Sequence, residues 1–412
     1  MPLEMRVKQC VPQGIVLAIA LALAAVNGQC QVAATQVGNV DQLRQTAFGL
    51  EQQGKTNEAE SAWRAVLRAQ PANAEAYAHL GFLEARQEHY GEAAPLYRKA
   101  LALQPGMPGL KMNLGLALFK SGRMREAIDT FTPLLKSEPA SSPEALRLTT
   151  LIGIADYGLG EYAAAVPNLK EATANDPQNL PFRLMLAQSC LASKQYPCVL
   201  DTYHEILLLN AESAEADMLA GEALDEMKDH AGAIQQFRAA VKADPKVPNV
   251  HFGLAYLLWS QSQYEEAAQE FQAELANVPD SVQAIAYLGD TQMQLSHPDA
   301  ARPLIQKAIA IDPRMELPHL DLGIMDADAG DRENALREFK LAASLNPSDV
   351  NAHWRLARLY QAMGRKEEAK VEFDKTSSLH KAENATIFEE LGKARAKGKP
   401  EDAPENAAPT NP

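Results

Sequence analysis

Aromatic side chains are scarce in this chain, only 6% of its residues, too few to furnish the packed faces of sheets, while abundant alanine favours close-packed helices. An all-β fold is excluded. Positive charge is also in deficit. With 39 Lys and Arg against 53 Asp and Glu, the formal net charge is -14, the wrong sign for gripping phosphate backbones. Nucleic acid is therefore not an expected partner. The motifs of common chemistries are missing too: no HExxH, no G-x-S-x-G, no P-loop, no Rossmann glycine run and no CxxC pair. What remains is ordinary globular material, 46% apolar and 22% charged, so wholesale disorder does not fit.

The N-terminus carries the longest apolar run. Arg6 and Lys8 precede an unbroken stretch from Ile15 to Val26, followed by Asn27, Gly28 and Gln29, the layout of an export signal. Such a run rises only about 18 Å as a helix, short of a hydrocarbon core of roughly 30 Å, so it serves poorly as a permanent anchor. Val26 and Gly28 supply compact side chains at the two recognition positions, with Val32 and Ala34 as a later alternative. Glu4 is out of place in a basic leader, and Met5 is a second candidate start. Cys30 raises the question of a lipid anchor, but Gln29 stands where a small residue is required. No other segment reaches about 18 apolar residues, so the processed chain is expected to be soluble, exported, and periplasmic or secreted.

A length of 412 residues would divide into two or three domains of roughly 150, unless the chain is a repeat array. A proline ladder decides for repeats. Pro71, Pro105 and Pro139 stand 34 residues apart; Pro177 follows after 38; then, with Ala211 filling one rung, Pro245, Pro279, Pro313 and Pro347 resume the spacing of 34. A four-residue insertion near Ser141 to Pro143 accounts for the slip.

With each rung set as position 32 of a unit, three columns align over ten units. Position 8 is Gly or Ala from Ala47 to Ala357, position 20 is Ala in all but Val199, and position 24 is large and apolar from Trp63 to Phe373. The pattern predicts two antiparallel helices per unit, whose backbones approach closely at the small residues while the bulky one fills the space beside them. The proline ends each unit, since it cannot continue a helix and turns the residue before it away from helical geometry. Gly122, Gly160, Gly330 and Gly364 mark the turn inside several pairs, where a positive φ is easily adopted.

These columns resemble the tetratricopeptide repeat, whose W-x2-L-G-x2-Y, A-x3-F and P pattern is fullest in unit two, with Tyr77, Leu80, Gly81, Ala93, Tyr97 and Pro105. The resemblance implies an all-α fold, a right-handed superhelical solenoid of about ten helix-turn-helix repeats. The expected organisation is a signal at 1–28, a linker at 29–39, ten units over 40–381, a capping helix at 382–398 and a disordered tail at 399–412. Ile387, Phe388, Leu391 and Ala394 form the apolar stripe of that cap, which an open stack needs. Departures from the pattern, Ala187, Val199 and Ala211 in unit five and Glu274 in unit seven, mark the places where a kink or looser stack is expected.

Chemistry is harder to find. His251, His319 and His353 share position 4 of units seven, nine and ten, but stacked units set equivalent residues about 10 Å apart, whereas one zinc needs ligands at about 2.1 Å. A structural role is expected of them. Cys190 and Cys198 face each other across the turn of unit five; in an exported protein they would oxidise, or they are two small buried hydrophobes. No length is left for a separate catalytic domain, so no enzyme activity, no cofactor, no metal and no small-molecule substrate are expected.

In the resembled family the first helix of each unit lines a concave groove, chiefly through positions 2, 5, 9 and 12. Here those columns place Phe82, Met112, Leu116, Phe119, Ile154 and Tyr157 in units two to four, and Phe252, Tyr256 and Trp259 in unit seven. Between them lie Glu215, Glu222 and Asp225, with Asp290 beyond. Aromatic and Met side chains give large contact areas for a protein or peptide partner, while the carboxylates select for basic ones. The family's clamp of Lys, Arg and Asn for a C-terminal carboxylate has no counterpart in these columns.

The expected function is thus a non-catalytic exported scaffold or adaptor for a protein partner in cell-envelope assembly. The alternatives are a membrane-tethered assembly factor, membrane contact arising only if the signal is retained, and an accessory subunit of an enzyme complex. N-terminal sequencing of the protein from its own cells should find a chain starting near Gln29; an intact leader would instead mean tethering.

Overall fold

The computed structural model describes residues 39–209 and 213–397, and every regular element among them is a helix. The expected leader, nearly all of the linker, the Ala211 rung and the tail at 399–412 lie outside the described residues. The chain divides into two units, one running to Thr202 and the other starting at Tyr203. In the first, the hairpins are α1 (39–52) with α2 (Thr56–Ala69), α3 (Ala74–Arg86) with α4 (Tyr90–Leu103), α5 (Leu110–Lys120) with α6 (Met124–Ser137), and α7 (Pro143–Gly158) with α8 (Tyr162–Asn175). α9 (Leu180–Ala192) and α10 (Tyr196–Leu209) follow, the division falling within α10. The second unit pairs α11 (Ala214–Glu226) with α12 (His230–Ala243), α13 (Val250–Ser260) with α14 (Tyr264–Asn277), and α15 (Val282–Gln294) with α16 (Pro298–Ile311). It ends with α17 (Glu316–Asp328) and α18 (Arg332–Leu345), then α19 (Val350–Ala362) and α20 (Lys366–Lys397). Within each unit a helix packs on the next in sequence, and first helices also touch the first helix of the following hairpin.

The small and large columns explain the hairpin. Position 20, Val199 included, is shut away from solvent in every repeat, from Ala59 at 0% to Ala369 at 4% exposed. In four repeats a glycine at position 8 faces the position 24 ring directly. A β-carbon added at Gly81 would lie 2.8 Å from the Tyr97 ring, at Gly115 2.3 Å from Phe131, at Gly221 2.7 Å from Phe237 and at Gly323 2.6 Å from Phe339. Each ring therefore occupies the volume that a side chain on the opposite helix would take. Phe237 is held from two sides, because a β-carbon at Gly253, in the next repeat, would come within 2.2 Å of it.

The turn between paired helices holds one left-handed residue in every repeat, at position 15. Gly54, Gly122, Gly160, Gly330 and Gly364 take it with φ between 73 and 83°. Glu88, Lys194, Lys228, Ser262 and Ser296 take it as well, at φ 57 to 69°. Geometry overrides residue type here: the tight hairpin requires that conformation, and a side chain in it costs about 1 kcal/mol or more.

Most first helices start on side-chain caps, α17 behind Met315 being one that does not. Asn73, Ser142, Asn179, Ser213, Ser281 and Asp349 each accept a backbone N–H from the first turn of the helix they precede, satisfying donors that would otherwise be orphaned. Repeats three and seven differ because Pro108 and Pro248 delay the helix, and Gly109 and Asn249 then adopt the left-handed region. In repeat seven the missing cap is supplied from across the hairpin. Glu274, buried in α14, accepts the N–H groups of Asn249 at 3.1 Å and Phe252 at 3.2 Å. The residue expected to loosen this repeat instead ties its two helices together.

The histidine column does similar work. Nδ1 of His251, His319 and His353 lies 2.6, 2.8 and 2.6 Å from Glu270, Glu338 and Glu372 on the partner helix. Nε2 of His319 and His353 meets the carbonyl oxygens of the ladder residues Pro313 and Pro347, at 3.1 and 3.2 Å. The clip thus joins the end of one repeat to both helices of the next. Cys190 and Cys198 are bonded, sulfur to sulfur at 2.08 Å, across the elbow of α9 and α10.

The segment expected to cap the stack continues α20 without a break, so the last helix is 32 residues long. The side chains of Ile387, Phe388, Leu391 and Ala394 lie outside the described residues.

Two substitutions probe this packing. Gly221→Leu should lower stability by about 1 to 3 kcal/mol, since the Phe237 ring has no free volume to retreat into; urea melts would show it. Ser262→Gly should raise stability by roughly 0.5 to 1 kcal/mol by relieving the left-handed serine, offset in part by added freedom of the unfolded chain.

Candidate functional site

Two stretches of first-helix surface carry the residues expected to bind a partner, one in each unit. In the first unit Phe82 on α3 is 41% exposed, with the Arg86 guanidinium 5.8 Å from its ring centre. Met112, Leu116 and Phe119 on α5 are half-buried and pack against the core of their own unit. Ile154 and Tyr157 on α7 are also half-buried, and the Tyr157 hydroxyl donates to Oε1 of Gln188 on α9 at 2.5 Å. Only Phe82 among these six offers a largely open apolar face.

The second unit is richer. Glu215 and Glu222 are exposed on α11. Asp225 is engaged, 2.7 Å from Nδ1 of His230 at its own hairpin turn. Phe252 leans inward over Phe271, ring centres 5.8 Å apart. Tyr256 remains 38% exposed and Trp259 half-buried. Tyr287 of α15 completes the group, its ring 6.0 Å from Phe252, 5.4 Å from Tyr256 and 5.1 Å from Trp259. Edge-to-face and stacked pairs of this kind stabilise a rigid aromatic wall beyond simple burial.

Carboxyl groups stand behind that wall. The Trp259 indole donates Nε1–H to Oδ2 of Asp290 at 2.5 Å, and Gln294 donates to Oδ1 at 3.2 Å. Asp321 on α17 is 2% exposed, and its Oδ2 has no protein partner; Oε1 of Glu316 and Nε of Arg355 are likewise buried and unpartnered. Burial raises the pKa of Asp290 and, with help from the neighbouring charges of Asp290 and Glu316, holds Asp321 well above the usual carboxylate range, against a downward pull from Arg355. Burial, with a hydrogen bond to Asp349, pushes Glu316 up to about 7. The Tyr287 hydroxyl is raised to about 12 by burial and then by the charges of Tyr256, Asp290, Glu316 and Asp321.

The columns at positions 2, 5, 9 and 12 found Tyr256, Trp259 and Asp290 but missed Tyr287 and Asp321, which sit at position 6 of units eight and nine, and Glu316 at the start of its helix. They also passed over Trp354 at position 5 of unit ten, 41% exposed with Arg355 and Arg358 near its ring. A run of Tyr287, Asp321 and Arg355 down one column was the available signal. Among the described residues no three His, Cys, Asp or Glu side chains converge to hold a metal ion.

Two profiles described as tetratricopeptide repeat match, one over residues 84–152, 157–223 and 326–383, the other over 49–108, 200–248 and 252–316. Together they cover well over half of the chain. It belongs to the tetratricopeptide repeat family. Such scaffolds generally mediate protein–protein interaction and are generally non-catalytic. Similar proteins include "DnaJ protein P58IPK homolog A" of Oryza sativa subsp. japonica, 24% identical over 310 residues, covering 71% of this chain and 60% of that protein. "Protein CTR9 homolog" of Arabidopsis thaliana is 23% identical over 305 residues, 71% of this chain and 27% of that one. This chain thus spans between about a quarter and three fifths of these relatives. Among solved structures, the APC/C hetero-tetramer Cut9-Hcn1 is 14% identical with a TM-score of 0.43, covering 81% of this chain and 73% of that one.

The raised carboxyls fix a pH dependence. A folded-state pKa above the unfolded value means that the folded chain holds the extra proton, so the stabilisation is complete below about pH 4 and is lost as pH rises through the folded pKa, for Glu316 about 7. The melting temperature should therefore fall between pH 5 and 8, and Glu316→Gln should flatten that fall. A melting temperature that rises over this range would contradict the assigned shifts.

Proposed function

We propose that the protein is an exported, non-catalytic scaffold that holds a protein or peptide segment against its first-helix surface, in the service of cell-envelope assembly. The carrying observation is the aromatic wall of Phe252, Tyr256, Trp259 and Tyr287, rigidly built yet with Tyr256 left 38% exposed. Aromatic anchors on a stiff scaffold supply contact area at small entropic cost to the binder. The leader supports export, through Arg6, Lys8 and the apolar run that follows. Among the described residues no helix is long and apolar enough to cross a membrane. A retained leader would make the same surface that of a membrane-tethered factor.

The test is capture. A photo-crosslinking residue at Tyr256 should trap a discrete partner from the envelope fraction, and Trp259→Ala should reduce that yield severalfold while far-UV circular dichroism stays unchanged. Loss of helicity in step with loss of capture would assign Trp259 to the core instead. Equal capture from a crosslinker on the exposed back of α14, at Glu265, would remove the surface from consideration.

A further inference from the structure

The second unit encloses more carboxyl groups than its own donors satisfy. Asp290, Glu316 and Asp321, with the capping residue Asp349, gather where α15, α17 and α19 lie side by side. One guanidinium, that of Arg355, acts on Asp321. Its Nε is itself buried without a partner. Even a full pairing would leave Oε1 of Glu316 without a donor. Buried carboxylates without matched donors are costly, and folded proteins retain them mainly where they serve a ligand or a switch.

Two features indicate the missing cation. Asp321 is 2% exposed and Oδ2 has no protein partner, as is true of the buried Oε1 of Glu316, so acceptors are ready for N–H donors. The rings of Tyr256, Trp259 and Tyr287 stand 5.1 to 5.8 Å apart, centre to centre, and the Trp259 indole is bonded to Asp290 of the same acidic group. A planar guanidinium meets both demands, stacking on aromatic faces while its fork of N–H groups reaches carboxylate oxygens; a lysine ammonium, more strongly hydrated and without the fork, meets them less well.

Resting on the proposed peptide-binding role, we propose that this acid-backed aromatic wall is a subsite for an arginine side chain of the protein partner. Tyr256 forms the open lip, Trp259 and Tyr287 the stacking wall, and Asp321 with Glu316 the acceptors at the floor. Asp290 is a positioning residue: it holds the Trp259 indole through the Nε1–H bond.

The Trp259 indole N–H is a built-in reporter. Its resonance, assigned by its loss in Trp259→Phe, is followed in the full chain during titration with N-acetyl-arginine methylamide, to about 10 mM because single-residue ligands bind in the millimolar range. A saturable shift is expected with arginine, at least tenfold weaker with the isosteric, neutral citrulline compound and severalfold weaker with the lysine one. Asp321→Asn should weaken the arginine probe at least tenfold while melting no lower than the parent. The charge-matched control Glu265→Gln, at an exposed position, should leave it unchanged. No saturable shift with arginine, equal shifts with citrulline, lysine as tight as arginine, or equal loss in the control would each overturn the proposal. If Asp321→Asn fails to fold, Glu316→Gln carries the same expectation. The small probe needs no partner, so the subsite can fail while crosslinking still captures one, or hold while crosslinking fails.

Discussion

The whole architecture depends on one steric bargain, struck in repeat after repeat: a ring on the second helix lies where a side chain on the first would have been. At Gly115 and Phe131, or Gly221 and Phe237, the aromatic carbon sits closer to the glycine than any β-carbon could tolerate. This fixes how near the two helices come, and with it the turn that must join them. The left-handed residue at position 15 follows from that closeness. So does the side-by-side arrangement of first helices, since each hairpin is a body of nearly constant thickness laid against the next.

Much of this was legible in the sequence because the bargain leaves large marks. A methyl-or-less column, an alanine column and a bulky column in fixed register, with a proline at every boundary but the one at Ala211, are hard to produce by any other structure. The finer geometry was not legible, for physical reasons that differ by residue. Glu88, Lys194, Lys228, Ser262 and Ser296 take the left-handed conformation without the glycine that would advertise it. Glu274 looked like a misfit in an alanine column; its carboxylate is spent on backbone amides left over when Pro248 delays α13. The long run of α20 through the expected boundary with the cap had no proline, and no glycine before Gly392, to contradict it, but periodicity alone does not say whether two amphipathic stretches are one helix.

The candidate site was half visible. Tyr256, Trp259 and Asp290 fell in columns that the family uses for contact, whereas Tyr287 and Asp321 sit one position further along. A pocket assembled from single residues of consecutive repeats has no local motif, because its members are about one repeat length apart in the chain. What brings them together is the stacking itself: α13, α15, α17 and α19 set like positions side by side. The scaffold and the site are therefore one device, and the price of the buried carboxyls is met by the aromatic and helical packing around them.

The histidine clip has an evolutionary corollary. Pro347, His353 and Glu372 engage one another within a single stretch of chain shorter than a repeat, as do Pro313, His319 and Glu338. A duplication or deletion cut from one ladder proline to just before the next would carry its fastening with it intact. Lineages could thus lengthen or shorten the array without redesigning its joints, and vary what it grasps by editing a few exposed letters in each copy.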